Sequence, residues 1–205
     1  MKWSREEANQ GDSTVNENRQ RILSDVLVLA LLVAIGVAGR WGQPEWCFTP
    51  TAAAAIFAGY YFSRIGLALL VPLAILLISD LLLPAYNSFA VMIATYAIMT
   101  LPVCFGRLLR KPGTTWDTVW RWAVCGLVPA TLFYLVTNFA VWAFQSDYQK
   151  TTSGLVLCYW SAVPFFRWML SGDVLYLALL FGAAALAGVR TPVPQPLPAQ
   201  KNIRS

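Results

Sequence analysis

The sequence predicts an all-α membrane protein: six transmembrane helices and one further outer-side helix that is interfacial or re-entrant. Three observations carry this. Of the 205 residues, 58% are hydrophobic and only 12% are charged, more apolar surface than a soluble core of this size can hide, so lipid must be the solvent. The apolar residues fall in long runs separated by short polar segments. The 15 basic residues sit in those short segments and in the tails, where they orient helices rather than bind nucleic acid, despite a net charge of +5. The organisation that follows is a cytoplasmic tail over 1–21, a single transmembrane domain over 22–190, and a polar, proline-rich cytoplasmic tail over 191–205.

Residues 1–20 read as a solvated tail, with no small-residue cleavage site after the apolar run that begins at Ile22. The first span runs from about Ile22 to Gly39, and Ala30, Ala34 and Ala38 recur along it every four residues. Small side chains at that spacing form a smooth ridge that lets another backbone come close; the ridge serves either a partner or packing inside this chain. Arg40 to Pro50 is a loop holding Trp41, Glu45 and Trp46, an aromatic anchor at the interface. The second helix, about Pro50 to Phe62, is short. Thirteen residues reach only about 20 Å against a hydrocarbon core of about 30 Å, so the Arg40–Thr49 loop is expected to dip inward to make up the difference. Irregular backbone at that depth must be walled by protein, which predicts an outward-facing cavity.

The third helix, about Ile65 to Leu83, contains Pro72 and ends near Asp80; the fourth spans about Ser88 to Gly106; the fifth, about Trp120 to Phe144, is the long one. The segment 154–170 is apolar but holds Pro164 and ends near Arg167, and it reads as the interfacial or re-entrant helix. The last span follows, about Ser171 to Val189, with Asp173 at its start, where a carboxylate suits the helix dipole.

Orientation follows from counting basic residues. With six spans and both termini cytoplasmic, the inside holds Lys2, Arg5, Arg19, Arg21, Arg64, Arg107, Arg110, Lys111, Arg121, Arg190, Lys201 and Arg204, and the outside only Arg40, Lys150 and Arg167. Twelve against three favours this arrangement over one with a seventh span, which gives nine against six. The expected location is the cell (inner) membrane.

Chemistry is sparse. There is no histidine, the commonest general base and metal ligand, and the four cysteines lack metal-ligand spacing. Cys47 and Cys158 both fall on the outer side and are the two that a disulfide would join. No phosphate-cradling loop, metal cluster or serine–base arrangement is present, so no catalytic residue, metal or cofactor is expected. Asp80 and Asp173 would make a carboxylate pair only if the fold brought them together. The polar groups worth attention collect at the outer end of the fifth helix. Asn138 and Trp142, four apart, share a helix face, and an amide among apolar side chains requires a partner. A pocket is expected there, walled by Asn138 and Trp142, roofed by Trp41, Glu45 and Trp46, with Tyr148, Tyr159 and Asp80 near it. Few basic residues lie on that side, so its occupant should be neutral or weakly charged. The alternative for Asn138 and Trp142 is helix packing and interface anchoring; for Asp80, a helix-end acid bonding the Pro84–Ser88 turn.

The strings Phe48-Thr-Pro50 through Gly59-Tyr-Tyr, Val71-Pro72, Ile78-Ser-Asp80-Leu, Thr137-Asn-Phe-Ala-Val-Trp142, Gly154-Leu155, Cys158-Tyr159 and Pro164-Phe-Phe resemble a family of small bacterial integral membrane proteins whose domain has no known function. More distantly, the layout is similar to the substrate-binding S components of energy-coupling-factor vitamin transporters. That resemblance implies six helices with cytoplasmic termini, an outward pocket closed by the Arg40–Thr49 loop, and docking of the Ala30, Ala34 and Ala38 ridge on a transmembrane coupling protein that works with ATPase subunits. The function expected is capture of a small organic, vitamin-like molecule for uptake; the alternative is a non-transporting structural or assembly subunit of a membrane complex.

Overall fold

A computed structural model describes the backbone of residues 3–45 and 47–188, with the side chains of residue 16 and of those from residue 18 onward. Among these residues every regular element is a helix: α1 (Trp3–Trp41), α2 (Thr51–Tyr61), α3 (Ile65–Ser79), α4 (Phe89–Thr100), α5 (Pro102–Leu108), α6 (Thr115–Phe144) and α7 (Thr152–Leu186). Four stretches are long and apolar enough to cross a membrane: Asn18–Trp41, Phe89–Leu108 (α4 with α5), Thr115–Phe144 and Thr152–Leu186. The chain has the character of a multi-pass membrane protein. α3 is a 15-residue apolar helix, and α2 has only 11 residues.

α2 is the hub. All of Thr51 to Gly59 is buried, although five of these residues are alanines that bring little surface of their own. Alanine is the best helix former, and its small side chain lets larger neighbours close in from every direction. On one side Ala54, Ala55, Phe57 and Ala58 join Leu32 of α1, Val71 and Ile75 of α3 and Val103 of α5 in one core cluster. On the other, Ala53 and Ile56 meet Cys125 of α6 and Leu177 of α7. The closest approach is to α5. A Cβ on Gly59 would lie 2.0 Å from the Val103 carbonyl oxygen, and one on Gly106 would lie 1.9 Å from that of Ile56. Glycine at both positions is what lets the two backbones touch.

The ends of these elements follow from their residues. Pro102 has no N–H to continue α4, so the ladder breaks at Leu101 and α5 starts anew with proline in its first turn. Thr114 and Asp117 cap α6 reciprocally, each side chain bonding the other's backbone N–H. The carbonyls at the C-terminal end of α2 carry partial negative charge and are met by two arginines, one in the last turn of α5 and one just past it: Arg110 Nε donates to Tyr60 O at 2.7 Å, and Arg107 Nη2 donates to Ser63 O, just beyond α2, at 2.9 Å.

Several expectations meet the structure here. α1 is unbroken from Trp3 to Trp41, so the segment expected as a tail over 1–21 is helical from Trp3 onward. The 191–205 tail lies outside the described residues. The separate interfacial helix over 154–170 and the last span from Ser171 are a single helix, α7, of 35 residues. Pro164 removes one backbone donor without ending it, as happens in apolar helices whose neighbours hold them in place. α6 is that neighbour: Tyr134 donates its hydroxyl to Tyr159 O and Tyr159 donates to Leu135 O, each at 2.7 Å, while Tyr134 also packs on Phe166. Asp173 therefore lies well inside α7 and does not open a helix. Cys47 and Cys158 are both free; Cys158 is buried against Asn138 O.

Candidate functional site

The chain from Gly42 to Pro50 leaves α1, turns inward and reaches the middle of α7 before α2 begins. Its course is fixed at several points. Trp41 Nε1 donates to Ser79 O at 3.0 Å, and Gln43 accepts from the Cys47 backbone N–H at 3.1 Å. Cys47 adopts a positive φ of 69°, which costs strain in a residue with a side chain. Phe48 is gripped between Trp168 and Tyr176 of α7. Gly172 leaves room for this segment: a Cβ there would sit 3.3 Å from the Thr49 nitrogen.

Behind this segment lies a cavity of about 230 Å³. α1 contributes Arg40; the inward segment Gln43, Cys47 and Thr49; α2 Thr51 and Ala52; the end of α3 and the turn after it Leu76, Asp80, Leu83, Pro84 and Tyr86; α4 Thr95 and Met99; α6 Phe133; and α7 Met169 and Asp173. The wall is mainly apolar with a few polar groups, the usual character of a small-molecule site. Its volume falls below the ~300–1,000 Å³ of pockets for drug-sized ligands, so an occupant must be small.

The charged groups of the wall differ in how they are satisfied. Arg40 Nη2 pairs with Asp80 Oδ1 at 2.9 Å, and the Tyr96 hydroxyl donates to Asp80 Oδ2 at 2.9 Å. Both Asp80 oxygens are thus engaged, by side chains and not by the Pro84–Ser88 backbone. Arg40 Nη1 is buried without a partner. Asp173 is only 2% exposed, and nothing among the described residues donates to its Oδ2. The fold does bring Asp80 and Asp173 to one cavity, one neutralised and one not. Two loop groups feel the same surroundings. Burial pushes the Cys47 thiol up, with Arg40 pulling it down and Asp173 pushing it up in smaller measure. Burial, then the charge of Asp80, pushes the Tyr86 phenol up, so it is a neutral donor at physiological pH.

Of the residues singled out from the sequence, Asp80 lines this cavity and Trp41 braces it from behind through Ser79. Glu45 is exposed, and Trp46 lies outside the described residues. Asn138, Trp142, Tyr148 and Tyr159 do not line it. Asn138 donates one turn back along its own helix to Tyr134 O at 2.8 Å, Trp142 Nε1 donates to Gln149 O at 3.0 Å in the connection to α7, and Tyr159 ties α7 to α6 through Leu135 O. Lys150 closes the same end, donating to the carbonyls of Trp142 and Gln145 and lying over the Trp142 ring. Ala30, Ala34 and Ala38 are exposed on α1, while Gly36 on another face meets Ile75 of α3; the ridge is not packing inside this chain.

The residues that sequence reasoning passed over are Arg40, Gln43, Cys47, Tyr86, Phe133 and, as a cavity group, Asp173. One signal was available. Asp80 needed a cation, and only Arg40, Lys150 and Arg167 were assigned to its side.

Among the described residues no cluster of three or more metal-ligating side chains occurs. Residues 20–196 match the family of unknown function DUF6580, and the chain belongs to that family. No curated protein and no solved structure matches the chain.

Proposed function

We propose that this DUF6580 member is an inner-membrane protein of six spans with cytoplasmic termini, α2 and α3 supplying the two short ones, and that it captures a small organic molecule from the outer side. The cavity behind the inward segment carries this reading. Its walls come from α1, α2, α3, α4, α6 and α7, and Arg40 and Asp80 are held by one another and by Tyr96 before any ligand arrives, which lowers the ordering cost of binding. The segment from Gly42 to Thr49 is the cover through which the molecule enters. The twelve-to-three charge bias puts that cover outside.

Release inward then requires a coupling partner, a membrane protein with ATPase subunits, since the sequence holds no nucleotide-binding motif. The exposed ridge of Ala30, Ala34 and Ala38 is the docking face for it. The same ridge serves the second reading, a non-transporting assembly subunit, in which the cavity stays empty. Mass spectrometry of small molecules released from gently solubilised protein separates the two. Capture predicts one compound enriched in wild type and lost when Thr95 or Met99 is enlarged to fill the cavity. Absence of any such compound, with the partner complex intact, favours assembly.

A further inference from the structure

Three charged side chains line the cavity, Arg40, Asp80 and Asp173. Arg40 and Asp80 cancel one another across 2.9 Å. Asp173 is left over: almost fully buried, with an oxygen that no side chain or backbone group satisfies among the described residues. A buried carboxylate is costly unless a cation or several donors face it, and the one cation among the cavity-lining residues is paired with the other acid. The basic residues that could serve instead are occupied or remote. Lys150 is bonded to the carbonyls of Trp142 and Gln145, and Arg167 is exposed on α7 and does not line the cavity. The space Asp173 faces is also walled by Met169, Phe133 and Met99, which suit the apolar body of an organic molecule. Sulfur and ring faces are soft, polarisable surfaces for such a body.

We infer that the molecule captured here is a small organic cation, with a protonated amine, amidine or ring nitrogen donating to Asp173 and its apolar remainder against Met99, Phe133 and Met169. This rests on the capture reading above and narrows it. The charge sum selects against anions, because the charge of Arg40, the one cation in the wall, is cancelled by Asp80; its unpartnered Nη1 is left to donate to a neutral acceptor on the same molecule. A neutral isostere of the same shape fills the space but leaves the carboxylate without a counter-charge, so it binds less well.

The cavity contains its own reporter, Cys47. In the full-length protein carrying Cys104→Ser, which removes the exposed cysteine, alkylation of Cys47 by iodoacetamide is followed by mass spectrometry in mild detergent. Three probes of matched shape are added: benzamidine, benzamide and benzoate. The expected result is protection by benzamidine at roughly tenfold lower concentration than by benzamide, and none by benzoate. Asp173→Asn should bring benzamidine and benzamide to the same level, with protection taken as the ratio of rates with and without probe because the substitution also changes the thiol's own reactivity. Equal protection by benzamide and benzamidine in the wild type overturns the inference and leaves capture standing. So does a preference for the cation that survives Asp173→Asn in a protein with an unchanged melting temperature. If no probe protects Cys47 at about 100 mM, where even fragments of millimolar affinity saturate, the capture reading fails as well. The wild-type series decides the matter even if Asp173→Asn does not fold.

Discussion

The pair of Arg40 and Asp80 shows how strongly a single contact depends on its partner here. Their side chains are 14% and 19% exposed, so water screens them little. Replacing Arg40 by Met strands the carboxylate beside Tyr96 and should cost about 2–4 kcal/mol. The double replacement Arg40→Met with Asp80→Leu should recover most of that, because removing both charges is nearly neutral where removing one is not. Reversible denaturation in mixed micelles, run as a double-mutant cycle, measures both values; two additive losses would mean that the pair is not coupled. Cys47 offers a test by pH. Its thiol titrates above the range of a free cysteine because it is buried, so the thiolate, the reacting form, appears later as pH rises. Alkylation should lag behind an exposed cysteine at pH 8 and catch up only at clearly higher pH. Arg40 lowers this thiol and Asp173 raises it, so Arg40→Gln should shift the profile to higher pH and Asp173→Asn to lower. At this scale the sequence was readable where a residue's chemistry demanded a partner, as with Asp80. It was not readable where the need was met by a local backbone carbonyl or not met at all: Asn138 found its partner one turn back, at Tyr134, and Asp173 Oδ2 finds none among the described residues.

Helices α2 and α5 make the tightest contact in the molecule, and their glycines face carbonyl oxygens, not movable side chains. Gly106→Ala should therefore cost at least about 2 kcal/mol, seen as a lower denaturation midpoint, while Gly66→Ala, where a Cβ meets nothing, should cost nothing or stabilise slightly. Equal effects would place the close approach in doubt. Helix positions were largely legible, since unbroken apolar runs bounded by prolines, glycines and charges leave few alternatives. The shortness of α2 was legible too, and with it the need for the Arg40–Thr49 segment to turn inward. The continuity of α7 was not. Pro164, Arg167 and the Ser171-Gly172-Asp173 triplet look like an interruption in isolation; only the facing surface of α6, with Tyr134, and the seat that Gly172 offers to Phe48 and Thr49 explain why the helix runs through.

For the whole molecule, orientation and partnership are the open properties. The charge bias predicts that a lone cysteine introduced at Lys150 reacts with a membrane-impermeant maleimide in intact cells and that one at Lys111 does not; the reverse pattern would invert the fold, and labelling at both sites would break the six-span count. Ala34→Trp should leave the isolated protein folded, because Ala34 is exposed, while abolishing recovery of the partner complex. A complex that survives with Trp at this position moves the docking face elsewhere. The enclosure of α2 has a further consequence for biosynthesis. Too short to span by itself and buried on all sides by segments on both sides of it in sequence, it has no finished surroundings until α7, the last of the described helices, has left the ribosome. A chain that stops at Phe144 would present the alanine-rich hub to lipid, with the backbone of the inward segment uncovered. Cellular proteases that survey the bilayer would meet it in that state, so nonsense mutations between α6 and α7 should leave no detectable protein, whereas deletion of the polar residues 2–15 should leave a detectable one.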